Sequence, residues 1–280
     1  MTSLREQLGR YGVWQSSRVA TPELAAGVEA AGYGAFWLGG AAADLALAEQ
    51  LLDATGTLVV ATGIVNVWQA DAASVAAAYQ RVAARHADRF VLGIGTGHRE
   101  MWQQYEKPYD TISRFVDGLL AAGVPAQRMV LAALGPKVLR LGAERTAGVH
   151  PYLVPPEHSR LARAEIGPQP LLAPEHKVVL DADPERARAA GREIVERYLG
   201  LVNYTNNLRR LGFTNDDLVG TGSDRLVDAV VAHGTPEQVA AQLNAHLEAG
   251  ADHVTIQALG ADPLADLQRL APALSAPAGG

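Results

Sequence analysis

One pattern constrains this chain more than any other: short apolar runs alternate with capped helical segments from end to end. The runs fall at 11–14, 35–38, 57–67, 90–94, 129–133, 149–154, 170–180 and 253–259. Helical patterns follow them, opening at Thr21-Pro22-Glu23 and closing at Gly32, then at 44–54, 71–86, 111–122, from Pro136, from Pro156, from Pro184 and at 263–270. Proline at a helix start costs nothing, because the first N–H groups have no partner inside the helix. Runs dense in Val, Ile and Leu are covered on both faces, as parallel strands with helices outside them are. Eight such units in 280 residues predict an α/β fold, a single (β/α)8 TIM barrel over 1–274 with a frayed tail at 275–280. The stretch 185–232 breaks the rhythm and reads as a helical insertion near the seventh unit.

Composition removes several kinds of chemistry. The chain has no cysteine, which excludes disulfides, thiolate metal sites and a cysteine nucleophile. A net charge of -6 without a run of like charge argues against coating nucleic acid or an anionic membrane. Charge at Arg5 and Glu6 interrupts the apolar core a signal peptide needs, and no stretch reaches the length of a membrane span, so the expected location is the cytoplasm. The histidines lack metal-ligand spacing such as HExxH, and no metal is expected. Neither a G-x-S-x-G elbow nor a P-loop is present.

In a barrel the site lies at the C-terminal ends of the strands. After the second strand, Gly39 and Gly40 let a flat group approach the backbone, or simply make a tight turn. The third ends in Thr62-Gly63-Ile64-Val65-Asn66-Val67-Trp68, where a glycine inside a β-branched run marks a bulge. Here Asn66 and Trp68 would flank the mouth, or serve as turn former and core lid. The fourth ends in Gly93-Ile94-Gly95-Thr96-Gly97-His98, whose consecutive N–H groups suit a phosphate or a ring edge. The glycine spacing is not that of the dinucleotide fingerprint. His98 is the best candidate for proton transfer, as an imidazole titrating near neutrality at the pocket rim. The fifth runs through Leu134-Gly135-Pro136-Lys137 into a helix whose dipole favours an anion, with Lys137 adding a full charge. After the sixth, His150 and Tyr152 fall near the same rim.

Together, Thr62-Gly63-Ile64-Val65, Leu92 to His98, Ala133 to Lys137, Gly234-Thr235-Pro236-Glu237 and Gly250 to Val254 resemble the luciferase-like flavin and deazaflavin oxidoreductases, most closely the coenzyme F420-dependent branch. The resemblance covers most of the chain in order. It implies a barrel holding a planar tricyclic ring, with a non-proline cis peptide at Gly63–Ile64 behind it. Cofactor contacts carried over by matching position are Gly95, Thr96, Gly97 and His98, with phosphate contacts at Leu134, Gly135, Pro136 and Lys137; Gly39, Gly40, Gly63, Ile64 and Asn66 complete the expected cofactor-binding set. Where the family's sugar-phosphate dehydrogenases carry an acid–histidine pair, this chain has Gly39-Gly40, and where they carry a glutamate it has His98. A sugar phosphate is therefore not the expected substrate.

The implied function is hydride transfer between the F420 deazaflavin and a small organic substrate, with His98 moving the proton and His150 in reserve. The alternatives are an FMN-dependent monooxygenase on the same fold and, in another class, a non-catalytic cofactor-binding protein. A barrel lyase using Lys177 is a further outsider, lacking a carboxylate pair. Substrate recognition is expected from loops around Trp14, Trp68, Trp102, Tyr105 and Tyr109 and from 200–222. A homodimer through the outer helices would be ordinary.

Overall fold

The structure is a computed structural model that describes residues 3–86, 88–98 and 107–276. Trp102, Tyr105 and the last four residues of the expected tail lie outside the described residues. In chain order the elements are α1 (Leu4–Leu8), β1 (Tyr11–Ser16), α2 (Pro22–Ala30), β2 (Ala35–Gly39), α3 (Ala46–Asp53), β3 (Val59–Thr62), β4 (Val65–Asn66), α4 (Ala72–His86), β5 (Phe90–Gly95) and α5 (Pro108–Ala121). They continue as β6 (Met129–Leu131), α6 (Pro136–Arg145), β7 (Gly148–Val149), α7 (Pro156–Ile166), β8 (Leu171–Leu172), β9 (Glu175–Val179), α8 (Pro184–Leu199), α9 (Val202–Arg210) and α10 (Asp224–Val230). The last four are β10 (Val231–His233), α11 (Pro236–Glu248), β11 (Val254–Ala258) and α12 (Pro263–Ser275).

All ladders are parallel, and the strands form one curled sheet in the order β10-β9-β11-β1-β2-β3-β5-β6-β7-β8, with β4 on β5. Side chains alternate across it as the pleat requires. Val13, Phe36, Leu38, Val60, Leu92, Leu131 and Val149 pack outward with the helices in one core. Trp14, Ala35, Trp37, Val59, Ala61, Val91, Val130 and Leu171 pack inward in another, which α1 plugs with Leu8. The amide of Ala173 donates to Val149 O and that of Asp252 to Leu172 O, so the segment joining β8 to β9 is bonded on both sides.

Several elements differ from expectation for local reasons. The run at 57–67 is two strands, β3 and β4, with the cis Gly63–Ile64 peptide between them. The run at 170–180 divides at Pro174, which has no N–H to give, although its carbonyl accepts from Thr255. Only Gly148–Val149 of the sixth run pairs before Pro151 and Pro155 end it. The helix expected from 111 starts at Pro108. Three elements were not anticipated: α1, held by a Ser3–Glu6 capping box, β10, which closes the helical stretch after β9, and α11, opened by a Thr235–Gln238 capping box. The last helix runs to Ser275, the first residue of the expected tail.

Candidate functional site

The inward positions at the strand ends are glycine, and neighbouring side chains take the room a larger residue would need. A Cβ on Gly39 would stand 2.1 Å from the Trp14 ring, one on Gly63 would meet Trp14 Nε1 at 2.9 Å and His150 Nε2 at 3.2 Å, and one on Gly95 would meet the Ala132 methyl at 2.9 Å. The bulge is held by its backbone. Gly63 N–H donates to Leu38 O (2.8 Å), Ala41 N–H donates to Ile64 O (3.1 Å), and the Trp14 indole donates to Gly63 O (3.1 Å). Gly40 is exposed, and its carbonyl accepts from Ser17 Oγ.

At the end of β5, Gly97 takes the left-handed conformation (φ 59°) that glycine adopts without a Cβ penalty. The Trp68 indole donates to Thr96 O (2.8 Å), while Asn66 Oδ1 accepts from the Trp68 amide (3.0 Å). Asn66 is thus a turn former, and Trp68 braces the glycine turn. His98 is half-buried under helices α8 and α9, its ring 5.5 Å from Tyr204 and 6.3 Å from Tyr198. The aromatic wall continues through Tyr152, 5.2 Å from Tyr198, to Trp14, 5.0 Å from Tyr152. Tyr198 Oη donates to Tyr152 Oη (3.0 Å), which donates to Gln257 (2.9 Å).

Beneath this wall lie Glu175 and Lys177, both fully buried. Lys177 Nζ donates to the two carboxylate oxygens at 2.9 Å and sits 3.9 Å over the Tyr152 ring. The Leu153 amide donates to Glu175 Oε2 (3.0 Å). Burial pushes the carboxyl up and the ammonium down, and their mutual attraction opposes both shifts. This is the carboxylate beside Lys177 that the sequence did not reveal, two residues away on the same inward face of β9.

The structure corrects the placement of His150. It lies on the floor and not the rim, because residue 150 alternates inward after Val149; its side chain is 1% exposed. The ring stacks on Trp37 with centroids 4.4 Å apart, and Nδ1 donates to Ala173 O at 2.7 Å. Nε2 is then an acceptor, and it has no partner. Burial brings the imidazole down to about 4, so it is neutral at physiological pH. Below it, the Trp37 indole donates to His253 Nε2 (3.1 Å), and His253 Nδ1 donates to Gly9 O (2.8 Å).

Helix α6 begins with Gly135 as N-cap and Pro136 next, without a side-chain cap. Lys137 does not turn toward the mouth. It lines an outer groove between α5 and α6 with Lys107, Tyr109, Asp110, Arg140 and Glu144. The cation at the helix start is Arg210 of α9, whose Nη1 is 3.2 Å from where a Gly135 Cβ would stand. Its Nη2 donates to Asn207 Oδ1 (3.1 Å). His158 Nε2 lies 3.0 Å from Leu134 O, fixing the turn before the helix. Arg210 and Asn207 were not singled out in the sequence: only the approach of the Arg210 guanidinium to Gly135 gives them meaning.

Among the described residues there is no cluster of three or more histidines and carboxylates able to hold a metal, and no helix is long and apolar enough to cross a membrane.

Known structures share this architecture. An F420-dependent secondary alcohol dehydrogenase, solved with an F420-acetone adduct, superposes with a TM-score of 0.77 at 14% identity, covering 95% of this chain and 99% of that one. The coenzyme F420-dependent tetrahydromethanopterin reductase from Methanopyrus kandleri gives a TM-score of 0.70 at 14% identity over 94% of this chain and 97% of its own. The oxygenating constituent of 3,6-diketocamphane monooxygenase from Pseudomonas putida, solved with FMN, gives 0.66 at 14% identity over 96% and 100%. At such identity the likeness speaks to the fold. No curated protein sequence matches the chain. The luciferase-like monooxygenase family model matches residues 99–253, more than half of the chain, and the chain therefore belongs to that family.

Proposed function

We propose that the chain is an F420-dependent oxidoreductase, moving a hydride between a deazaflavin ring and a small organic substrate on an eight-unit barrel whose seventh unit carries the insertion 185–232. The observation that carries this reading is the glycine-built end of the sheet, where Gly39 and Gly63 let the Trp14 ring lie against the backbone and Gly95 packs against Ala132 and Ile64, next to a helix start that lacks a side-chain cap. A planar ring with a phosphate at one end matches both features. The unpartnered Nε2 of His150 and Nδ2 of Asn207 mark polar atoms that a ligand would satisfy.

When bound, F420 supplies a ring carbon that gives or takes a hydride, a two-electron step; the protein's part is positioning. Gly95, Thr96 and Gly97 would lie along the ring edge, with Gly63 and Ile64 behind it and main-chain groups of Leu134 to Lys137 at the phosphate. His98 would give a proton to, or take one from, a substrate oxygen as the hydride passes to or from the adjoining substrate carbon. His150, neutral and buried, would act as a hydrogen-bond acceptor beneath the ring. The aromatic wall of Trp14, Tyr152, Tyr198 and Tyr204 would exclude water.

The test is an equilibrium titration of the purified protein with F420 and, separately, with FMN, followed by cofactor fluorescence. Tight F420 binding with FMN at least ~10-fold weaker is expected, a gap of about 1.4 kcal/mol. A preference for FMN would transfer the chain to the monooxygenase reading that the FMN-bound neighbour supports.

A further inference from the structure

The α8–α10 stretch is rich in arginine, and its arginines divide into two kinds. Arg186, Arg188, Arg192 and Arg225 each pair with carboxylates: Asp181 and Asp183, Asp224 and Asp228, Asp224, and Asp217. Arg197, Arg209 and Arg210 have no carboxylate ion pair among the described residues; Arg209 turns to the neutral Asn206 and Asn215, and Arg210 to the neutral Asn207. The Arg210 guanidinium stands at Gly135, over the start of a ten-residue helix without a side-chain cap. Asn207 is 2% exposed, and its carboxamide Nδ2, beside that guanidinium, has no acceptor. A buried amide donor without an acceptor costs free energy that a native fold retains only for a reason.

Three donors therefore stand near one another with no carboxylate bonded to any of them: the Lys137 amide in the first turn of α6, where Pro136 has no N–H and the Val138 and Leu139 amides donate to Gly135 O, the Arg210 guanidinium, and the buried Asn207 amide. The positive end of the helix dipole lies at the same place. A guanidinium pairs with phosphoryl oxygens in a planar, bidentate geometry, and Arg210 is held for it by Asn207 Oδ1.

We propose that Arg210 and Asn207 of α9, together with the N-terminus of α6, form a binding site for a phosphoryl group. This places part of the ligand site on the helical stretch between β9 and β10, and gives Arg210 the charge that sequence reading had assigned to Lys137. The phosphoryl group belongs either to the bound cofactor, as a diester in F420 or a monoester in FMN, or to a phosphorylated substrate. The inference rests on the cofactor reading only for which molecule carries that group.

The experiment titrates the full chain and its Arg210→Ala, Arg210→Lys and Asn207→Ala variants with F420, with the same deazaflavin chromophore lacking its phosphate, and with inorganic phosphate alone by calorimetry. FMN and riboflavin provide the equivalent pair if the ring is a flavin. Arg210→Ala is expected to weaken the phosphate-bearing cofactor by ~10- to 100-fold, with Arg210→Lys intermediate and Asn207→Ala weaker by about 5-fold, while the phosphate-free chromophore binds all four proteins alike. The Lys variant, retaining a cation on the exposed Arg210 position, keeps the comparison available if the Ala variant does not fold.

Equal weakening of both chromophores would show a structural role and overturn the proposal, as would no weakening of either. Should neither chromophore bind the parent protein, the cofactor reading fails by itself. In that case phosphate binding that is lost in Arg210→Ala supports the site with a phosphorylated substrate as its source, and absence of phosphate binding overturns it.

Discussion

The floor of the enclosed face and its mouth treat polar atoms in opposite ways. On the floor, Trp37, His253 and Gly9 form a closed hydrogen-bonded chain, and His150 adds its own bond to Ala173 while stacked on the indole. At the mouth, Asn207 keeps an unmatched donor, Arg210 lacks a carboxylate, and α6 begins uncapped. The floor completes itself within the protein. The mouth is completed by something else, and His150 marks the boundary, with Nδ1 satisfied and Nε2 open toward Gly63.

If this division holds, changes on the floor act on stability and changes at the mouth act on binding. The largest effect is expected from Trp37→Ala. The indole is fully buried, and its removal should cost ~3–5 kcal/mol in urea denaturation, with His253 Nε2 also losing its donor. A loss below about 1 kcal/mol would break the comparison, because the floor would then have repacked.

Acid should act on the floor next. His150 and His253 are both brought to about 4 by burial, below the 6.5 of a free imidazole. Their contribution is fully present above pH 6.5 and is lost as pH falls through 4, because the unfolded chain takes up protons in that window and the folded chain does not. Each site is worth on the order of 3 kcal/mol at the acid limit. The melting temperature should therefore fall between pH 7 and pH 4, and less steeply in His253→Gln. A parallel slope in that variant would remove His253 from the account.

The smallest effect sharpens the other half. Lys137→Ala should leave cofactor affinity within about twofold of the parent and stability within ~0.5 kcal/mol, since its side chain lines the outer groove. A loss approaching that of Arg210→Ala would mean that the anion reaches round the helix to Lys137.

Much of the sheet was legible because it is covered on both faces. The runs at 35–38 and 90–94 correspond to β2 and β5, and Thr21 and Asp183, each before the proline that opens an expected helix, prove to be side-chain caps of those helices. The cis bond expected at Gly63–Ile64 is present. What escaped was set by tertiary contact. Val231–His233 is too short to show alternation and directly follows a helix, so its pairing with β9 left no periodic trace. In Asn206-Asn207-Leu208-Arg209-Arg210 nothing local separates the two arginines. Arg209 turns to Asn206 and Asn215, whereas Arg210 meets Gly135, far back in the chain, only in the folded protein. The inward placement of His150 followed from alternation, but the strand holding it pairs for only two residues, which gave no pattern to count.

The pairing of β10 with β9 also bears on how such a mouth is altered over time. The chain leaves the sheet after Val179 and re-enters at Val231, with Val231 beside Lys177 and His233 beside Val179. Neighbouring strands stand about 4.8 Å apart, so the departure and return points lie at the two ends of one three-rung ladder. A segment anchored in this way is a cassette. Doubling its length costs only ~0.6 kcal/mol in loop closure and shifts no rung on either side. Tyr198, Tyr204, Asn207 and Arg210 all ride on it, so the upholstery of the pocket is free to be exchanged while the frame beneath stays in register.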